Sequence, residues 1–178
     1  PSPGWSGRSD RRYVRSKDLS GSGIIDQLTE PFTSAQLREG SAPGIGDTFT
    51  DASGKTYRFV QYNSGAGAVA AVANNMAYYY APSGVSAGAV TVVTSDLSDS
   101  ANVGAGMLMC APATGEYCWI QTGGYATLNT ALTAGADGNA LTAVGATDGT
   151  IDVSAAVTDF ICAVAVDASA KIVFLTCP

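Results

Sequence analysis

Beyond residue 45 the chain is written largely in short apolar runs broken by turn residues. From Gly46, GDTFTDASGKTYRFVQYN alternates with a period of two and reads as a hairpin: Thr48-Phe49-Thr50 and Lys55 to Gln61 flank the turn Asp51-Ala52-Ser53-Gly54. AVAAVANNMAYYYAPSG carries two patterns at once. Val69, Val72 and Met76 fit one face of a helix, whereas Met76-Ala77-Tyr78-Tyr79-Tyr80 fits a strand entered through an Asn74-Asn75 turn. After it come AVTVVT, SDLSDS, VGAGMLMC, APATGE, YCWIQ, TGG and YATLN, a series of short strands separated by turn chemistry. LTAGADG and LTAVGATDG, residues 132–138 and 141–149, read as two similar turns. Small and β-branched residues without a long amphipathic run predict a mainly β protein, a compact barrel or sandwich.

The C-terminal stretch DFICAVAVDASAKIVFLTC is predicted to fold back on itself about Ser169-Ala170. Val166 would then face Val173, Val164 would face Leu175 and Cys162 would face Cys177, making one face wholly apolar. That register brings Cys162 and Cys177 within reach of a disulfide, and Cys110 and Cys118 flank APATGEY in a similar way. Buried thiols acting as small hydrophobes are the favoured state for both pairs.

Ahead of this body, IIDQLTEPFTSAQLREG holds a short helical stretch, starting with capping-type residues at Thr33-Ser34 and ending at Gly40. Residues 1–23 mix Pro, Gly, Ser and Arg with little to bury, the composition of an extended arm. The organisation expected is therefore an arm over 1–23, a connecting segment over 24–45 and a β-rich body over 46–178. The basic N-terminus is not followed by an apolar segment, so it is not read as a secretory signal.

Charge separates the arm from the rest. Arg8, Arg11, Arg12, Arg15 and Lys17 oppose only Asp10 in residues 1–17, a balance of +4. Residues 18–178 carry four basic and fourteen acidic groups, a balance of −10, and the whole chain is at −6. RSDRRYVRSK would suit nucleic-acid phosphates, with Trp5 and Tyr13 stacking on bases, or an acidic protein surface gripped by guanidinium forks. The rest of the chain, at −10 over residues 18–178, repels a polyanion, so a protein partner is expected and nucleic acid is not. No apolar run approaches the ~20 residues of a membrane-spanning helix, and no membrane partner is expected.

The chain has no histidine, which removes Ser/His/Asp, Cys/His and His-based zinc chemistry. The four cysteines form no CxxC pair, so no metal site is expected. Paired carboxylates are the remaining acid–base apparatus: Asp96 with Asp99, Asp148 with Asp152, or Glu116 near Asp137. Each has a simpler role, because short acidic side chains in SDLSDS and Asp-Gly sequences bond their own turns. GADGNALTAVGATDGTID lacks the acidic spacing of a calcium loop. The clusters Gly21-Ser22-Gly23, Gly65-Ala66-Gly67 and Gly104-Ala105-Gly106 lack the GK[ST] ending of a phosphate loop and read as sheet bends, so no cofactor is implied.

Taken in order, Tyr57-Arg58-Phe59-Val60-Gln61-Tyr62, VTVVTSDLSDS, the Gly104-Ala105-Gly106-Met107 strand and GEYCWIQTGGYATLNTALTAGADGNALTAVGATDGTIDV resemble the small capsid decoration, or cement, proteins of tailed bacteriophages. The Tyr117-Cys118-Trp119-Ile120-Gln121 strand and the closing strand Lys171 to Thr176 occupy the corresponding places, and the resemblance spans about residues 45 to 178. It implies a β-barrel or β-tulip-like body that assembles as a homotrimer on the outer capsid surface of the virion, contacts the major capsid protein and performs no catalysis. The long basic arm and the four cysteines are not general features of that family. On the residues themselves, Trp5, Arg8, Arg11, Arg12, Tyr13, Arg15 and Lys17 are expected to tether the body to an acidic lattice. A second class is a carbohydrate- or receptor-binding module with Trp119, Tyr117 and Tyr125 as a sugar platform. A third is an acid-dependent hydrolase needing two carboxylates.

Overall fold

The structure, a computed structural model, describes residues 27–81 and 91–178. The arm, with Trp5, Arg8, Arg11, Arg12, Tyr13, Arg15 and Lys17, lies outside the described residues, as do Gly21-Ser22-Gly23, Ala89 and Val90.

The fold is mainly β. Among the described residues, one short helix, α1 (Ser34–Arg38), precedes ten strands: β1 (Thr48–Thr50), β2 (Thr56–Tyr62), β3 (Met76–Tyr80), β4 (Val92–Thr94), β5 (Ser100–Leu108), β6 (Tyr117–Thr127), β7 (Ala140–Thr142), β8 (Asp152–Val153), β9 (Ile161–Asp167) and β10 (Ile172–Thr176). The sheet order is β1-β2-β4-β3-β5-β6-β10-β9-β7-β8, and β2 also pairs with β6. That extra pairing closes β2, β4, β3, β5 and β6 into a five-stranded barrel. A ring with an odd number of strands cannot be antiparallel throughout. The required exception is the parallel pair β2–β4, and the other four pairings are antiparallel.

Local chemistry sets the elements. Thr33 caps α1 reciprocally: its Oγ1 accepts from the Gln36 N–H at 3.3 Å, and its own N–H donates to Gln36 Oε1 at 2.7 Å. The β1–β2 turn forms as expected, with the Asp51 carboxylate accepting from the backbone of Ser53 and Lys55. Asn74 adopts φ 65°, so the chain leaves any helical path there and enters β3. The strand reading of 76–80 therefore holds over the helical one.

YCWIQ, TGG and the first three residues of YATLN, expected as separate pieces, form one eleven-residue strand, Tyr117–Thr127. The register shift between Thr56 and Tyr57 falls opposite its middle, and the Gln121 amide donates to the carbonyls of Gly123 and Tyr125 across that bend. The first half of β6 thus belongs to the barrel. Its second half, Gly123 to Thr127, pairs with β10 and starts a sheet that runs through β9 and β7 to β8.

Three buried clusters hold these parts together. Val60, Tyr62, Ala77, Val93, Leu108 and Ile120 belong to one of them, with Cys110 and Cys118. Met76, Tyr78, Met107, Leu141, Ile151, Val173 and Leu175 join barrel strands to the added sheet. Leu28, Phe32, Tyr57, Phe59, Tyr117 and Trp119 form the third, with Leu37 and Phe49 packed against it. Phe32 makes an isolated antiparallel bridge to Tyr117, so the segment before the body covers the outer side of β2 and β6.

The C-terminal hairpin departs from its expected register. Ile172 faces Asp167, but a shift between Ile172 and Val173 then sets Val173 against Ala165, Phe174 against Val164 and Leu175 against Ala163. One residue of slip exchanges the faces of a strand. Ala163, Ala165, Val173 and Leu175 are buried, whereas Val164 and Val166 turn outward with Phe174. The bulge beside the turn is the cause, and alternation could not reveal it because both faces of this hairpin are apolar.

Candidate interaction surface

The strand register builds one row of side chains across four strands. Tyr125 of β6 stands opposite Phe174 of β10, Phe174 opposite Val164 of β9, and Val164 opposite Ala140 of β7. Val166 lies two residues along β9 on the same face. Tyr125 is 58% exposed, Phe174 and Val166 are each 40% and Val164 is 38%. The Tyr125 and Phe174 rings meet edge to face, with centroids 5.1 Å apart and planes at 84°. Thr127 and Thr176 extend the face, and no member of the row is Asp, Glu, Lys or Arg.

A solvated face of an antiparallel sheet normally carries polar side chains at these positions. Contiguous exposed apolar surface of this kind marks a site of association. Its opposite side is fully committed: Val173, Leu175, Ala163 and Ala165 are buried in the cluster shared with Met76, Tyr78 and Met107.

The aromatic platform nominated from the sequence does not form. Trp119 is 2% exposed and Tyr117 8%. Phe59 packs against Trp119 edge-on at 5.3 Å and stacks on Tyr117 at 6.1 Å. Only Tyr125 of the three faces solvent, and its aromatic neighbour is Phe174. The signal that could have revealed the row was the lack of polar alternation in ICAVAVD and IVFLT.

The nominated carboxylates hold turns. Asp96 Oδ1 accepts from the Ser98 N–H at 3.0 Å, and its Oδ2 from the Gly67 N–H at 2.9 Å. The Ser98 hydroxyl, burial and these amides together leave its pKa below the ordinary carboxylate value, the hydrogen bonds outweighing the burial. Asp99 accepts from the Ala66 N–H, Asp148 from Leu97, Asp137 from Ala168 and Glu116 from Ala113. Among the described residues, no three His, Cys, Asp or Glu side chains are grouped so as to hold a metal. No helix among them is long and apolar enough to cross a membrane.

The cysteines lie in two neighbouring pairs of free thiols. Cys162 and Cys177 approach each other without being cross-strand partners. Cys162 occupies a register shift of the β7–β9 pairing, its Sγ donating to the Leu141 carbonyl at 3.6 Å, while the Cys177 Sγ donates to the Cys162 carbonyl at 3.4 Å. In the other pair, Cys110 and Cys118 share one buried cluster, and the interaction of the two thiols holds Cys110 below the usual thiol pKa and, with burial, pushes Cys118 well above it.

A small closed barrel extended by a sheet with an apolar outer face defines the molecule as a mainly β protein. No family model matches the chain, and no match is found among curated proteins or solved structures.

Proposed function

We propose that this protein is a non-enzymatic capsid decoration protein that sits as a homotrimer on the outside of a viral head and bridges major capsid protein subunits. The observation that carries the reading is the uncharged row Tyr125, Phe174, Val164 and Ala140, exposed on a body, residues 46–178, whose ten acidic and three basic groups leave a balance of −7. Copies of so acidic a body repel one another, and an uncharged apolar face is where they can meet at least electrostatic cost. The resemblance of residues 45 to 178 to cement proteins of tailed phages supports the same reading.

The arm supplies the second contact. Five basic side chains within residues 1–17 are opposite in sign to the body, and guanidinium groups pair well with the carboxylates of an acidic protein lattice. Trp5 and Tyr13 are suited to anchor such a contact. The division of labour is then clear: the face joins copies to one another, and the arm joins them to the shell.

Co-sedimentation with capsids lacking the protein tests the reading. The full chain is expected to sediment with the particles and to raise their resistance to heat. A chain without residues 1–17 should fold, by circular dichroism, yet bind far more weakly, and binding should fall with added salt. A full chain that leaves such particles unbound overturns the decoration role. Undiminished binding by the folded truncation overturns the tether.

A further inference from the structure

We infer that Cys110 and Cys118 form a redox-closed clip across the end of the β5–β6 ladder, and that Cys162 and Cys177 remain thiols under the same conditions. The difference lies in register. Met107 faces Gln121 and Leu108 faces Ile120, and the Met109 N–H continues the ladder by donating to the Trp119 carbonyl at 3.1 Å. The next step sets Cys110 directly opposite Cys118.

Hydrogen-bonded and non-hydrogen-bonded pairs alternate along an antiparallel ladder. Leu108 points its N–H to Asn75, on the other edge of β5, so Leu108–Ile120 is a non-hydrogen-bonded pair and Cys110–Cys118, two residues on, is another. Such pairs hold Cα atoms about 4.5 Å apart, within the span a disulfide requires. Leu108, Ile120 and both cysteines share one buried cluster, so the two thiols point to the same side of the sheet. Cys110 leads into the loop before β6, where Ala111, Ala113 and Thr114 are exposed.

The other pair is also close, with the Cys177 Sγ 3.4 Å from the Cys162 carbonyl, but it is not in cross-strand register. Leu175 faces Ala163, which leaves Cys162 and Cys177 out of register with each other. The Cys162 Sγ is directed at the Leu141 carbonyl and lies against Gly104, where an added Cβ would come within 2.6 Å of it.

The oxidant is a small disulfide of the glutathione class. The Cys110 thiol releases its proton and its thiolate attacks one sulfur of glutathione disulfide, giving a mixed disulfide and one glutathione thiol. The Cys118 thiolate then attacks the Cys110 sulfur, forms the Cys110–Cys118 bond and expels the second glutathione. Two protein thiols are oxidised, and one glutathione disulfide is reduced to two thiols.

The test equilibrates the full-length protein in glutathione buffers of increasing oxidant ratio, blocks remaining thiols by alkylation and maps the linkages by unreduced peptide mass spectrometry. The expected result is loss of two of the four thiols, with 110 linked to 118 and an unfolding temperature raised over the reduced form. A Cys162→Ala, Cys177→Ala variant, which keeps the clip, should lose both of its thiols at the same oxidant ratio. Four free thiols at the oxidising end, linkage of 162 to 177 at an equal or lower ratio, or bonds between chains would each overturn the inference.

Discussion

The wall formed by β2 and β6 and the hairpin formed by β9 and β10 are made of similar sequence and end in opposite circumstances. TYRFVQY and YCWIQ carry apolar side chains on both faces, as do ICAVAVD and IVFLT. In the wall, Val60, Tyr62, Cys118 and Ile120 are buried in one cluster, while Tyr57, Phe59, Tyr117 and Trp119 on the other face are covered by Leu28, Phe32, Leu37 and Phe49. In the hairpin, one face packs against β3 and β5, and the other shows Val164, Val166 and Phe174 to solvent. A strand apolar on both faces requires two covers. The described chain provides both for the wall and one for the hairpin, and the proposed neighbour subunit provides the fourth.

The contrast predicts unequal responses to equivalent truncations. Trp119→Ala or Phe59→Ala empties a fully enclosed site and is expected to cost about 3–5 kcal/mol, read as a lower midpoint in urea unfolding. Phe32→Ala should fall near the same range, because it removes part of the cover itself. A cost below about 0.5 kcal/mol, the level of an ordinary surface substitution, would show that the outer side of the wall does not depend on its cover.

The junction between barrel and added sheet comes next. A Cβ at Gly104 would lie 2.6 Å from the Cys162 Sγ and 2.7 Å from its Cβ, so Gly104→Ala forces β5 and β9 apart. The expected loss is about 1–3 kcal/mol, with part recovered when Cys162→Ala removes the sulfur. No recovery would place the strain elsewhere.

Asp96 gives a smaller effect with a defined pH dependence. It caps the 3-10 turn Leu97–Asp99 and accepts from Gly67, so Asp96→Ala is expected to cost about 0.5–2 kcal/mol. Its folded-state pKa is lowered, chiefly by Ser98. The folded state therefore gains stability that is fully present above the ordinary carboxylate pKa of about 3.9 and is lost as pH falls through the lowered value. Urea midpoints of the wild type should decline across that acidic window. The decline should be shallower in Asp96→Ala, and parallel curves would remove Asp96 from the account.

Much of this was legible in the residues. The capping-type start at Thr33 and the Asp51–Gly54 turn were readable because each rests on chemistry within a few neighbours, whereas residues 69–80 carried both a helical and a strand pattern until the positive φ of Asn74 decided for the strand. Barrel closure was not, because the β2–β6 pairing joins residues about sixty apart and alternation does not name a strand's partners. The C-terminal register failed for a narrower reason: with valine, alanine and leucine on both faces, pattern could not distinguish two registers one residue apart, and the bulge decided between them. The arm was nominated on charge alone, while the exposed row became visible only when four strands were set side by side.

Phe174 gives the most direct test of the central claim. Light scattering across a concentration series, paired with thermal unfolding, should be run on the full-length protein and on Phe174→Glu. The account predicts a trimeric wild type and a monomeric variant that unfolds cooperatively, with its fold intact by circular dichroism, because the substitution places a charge on the face without emptying the core. A wild type that stays monomeric at every concentration, or a folded Phe174→Glu protein with the same assembly state as the wild type, would contradict it.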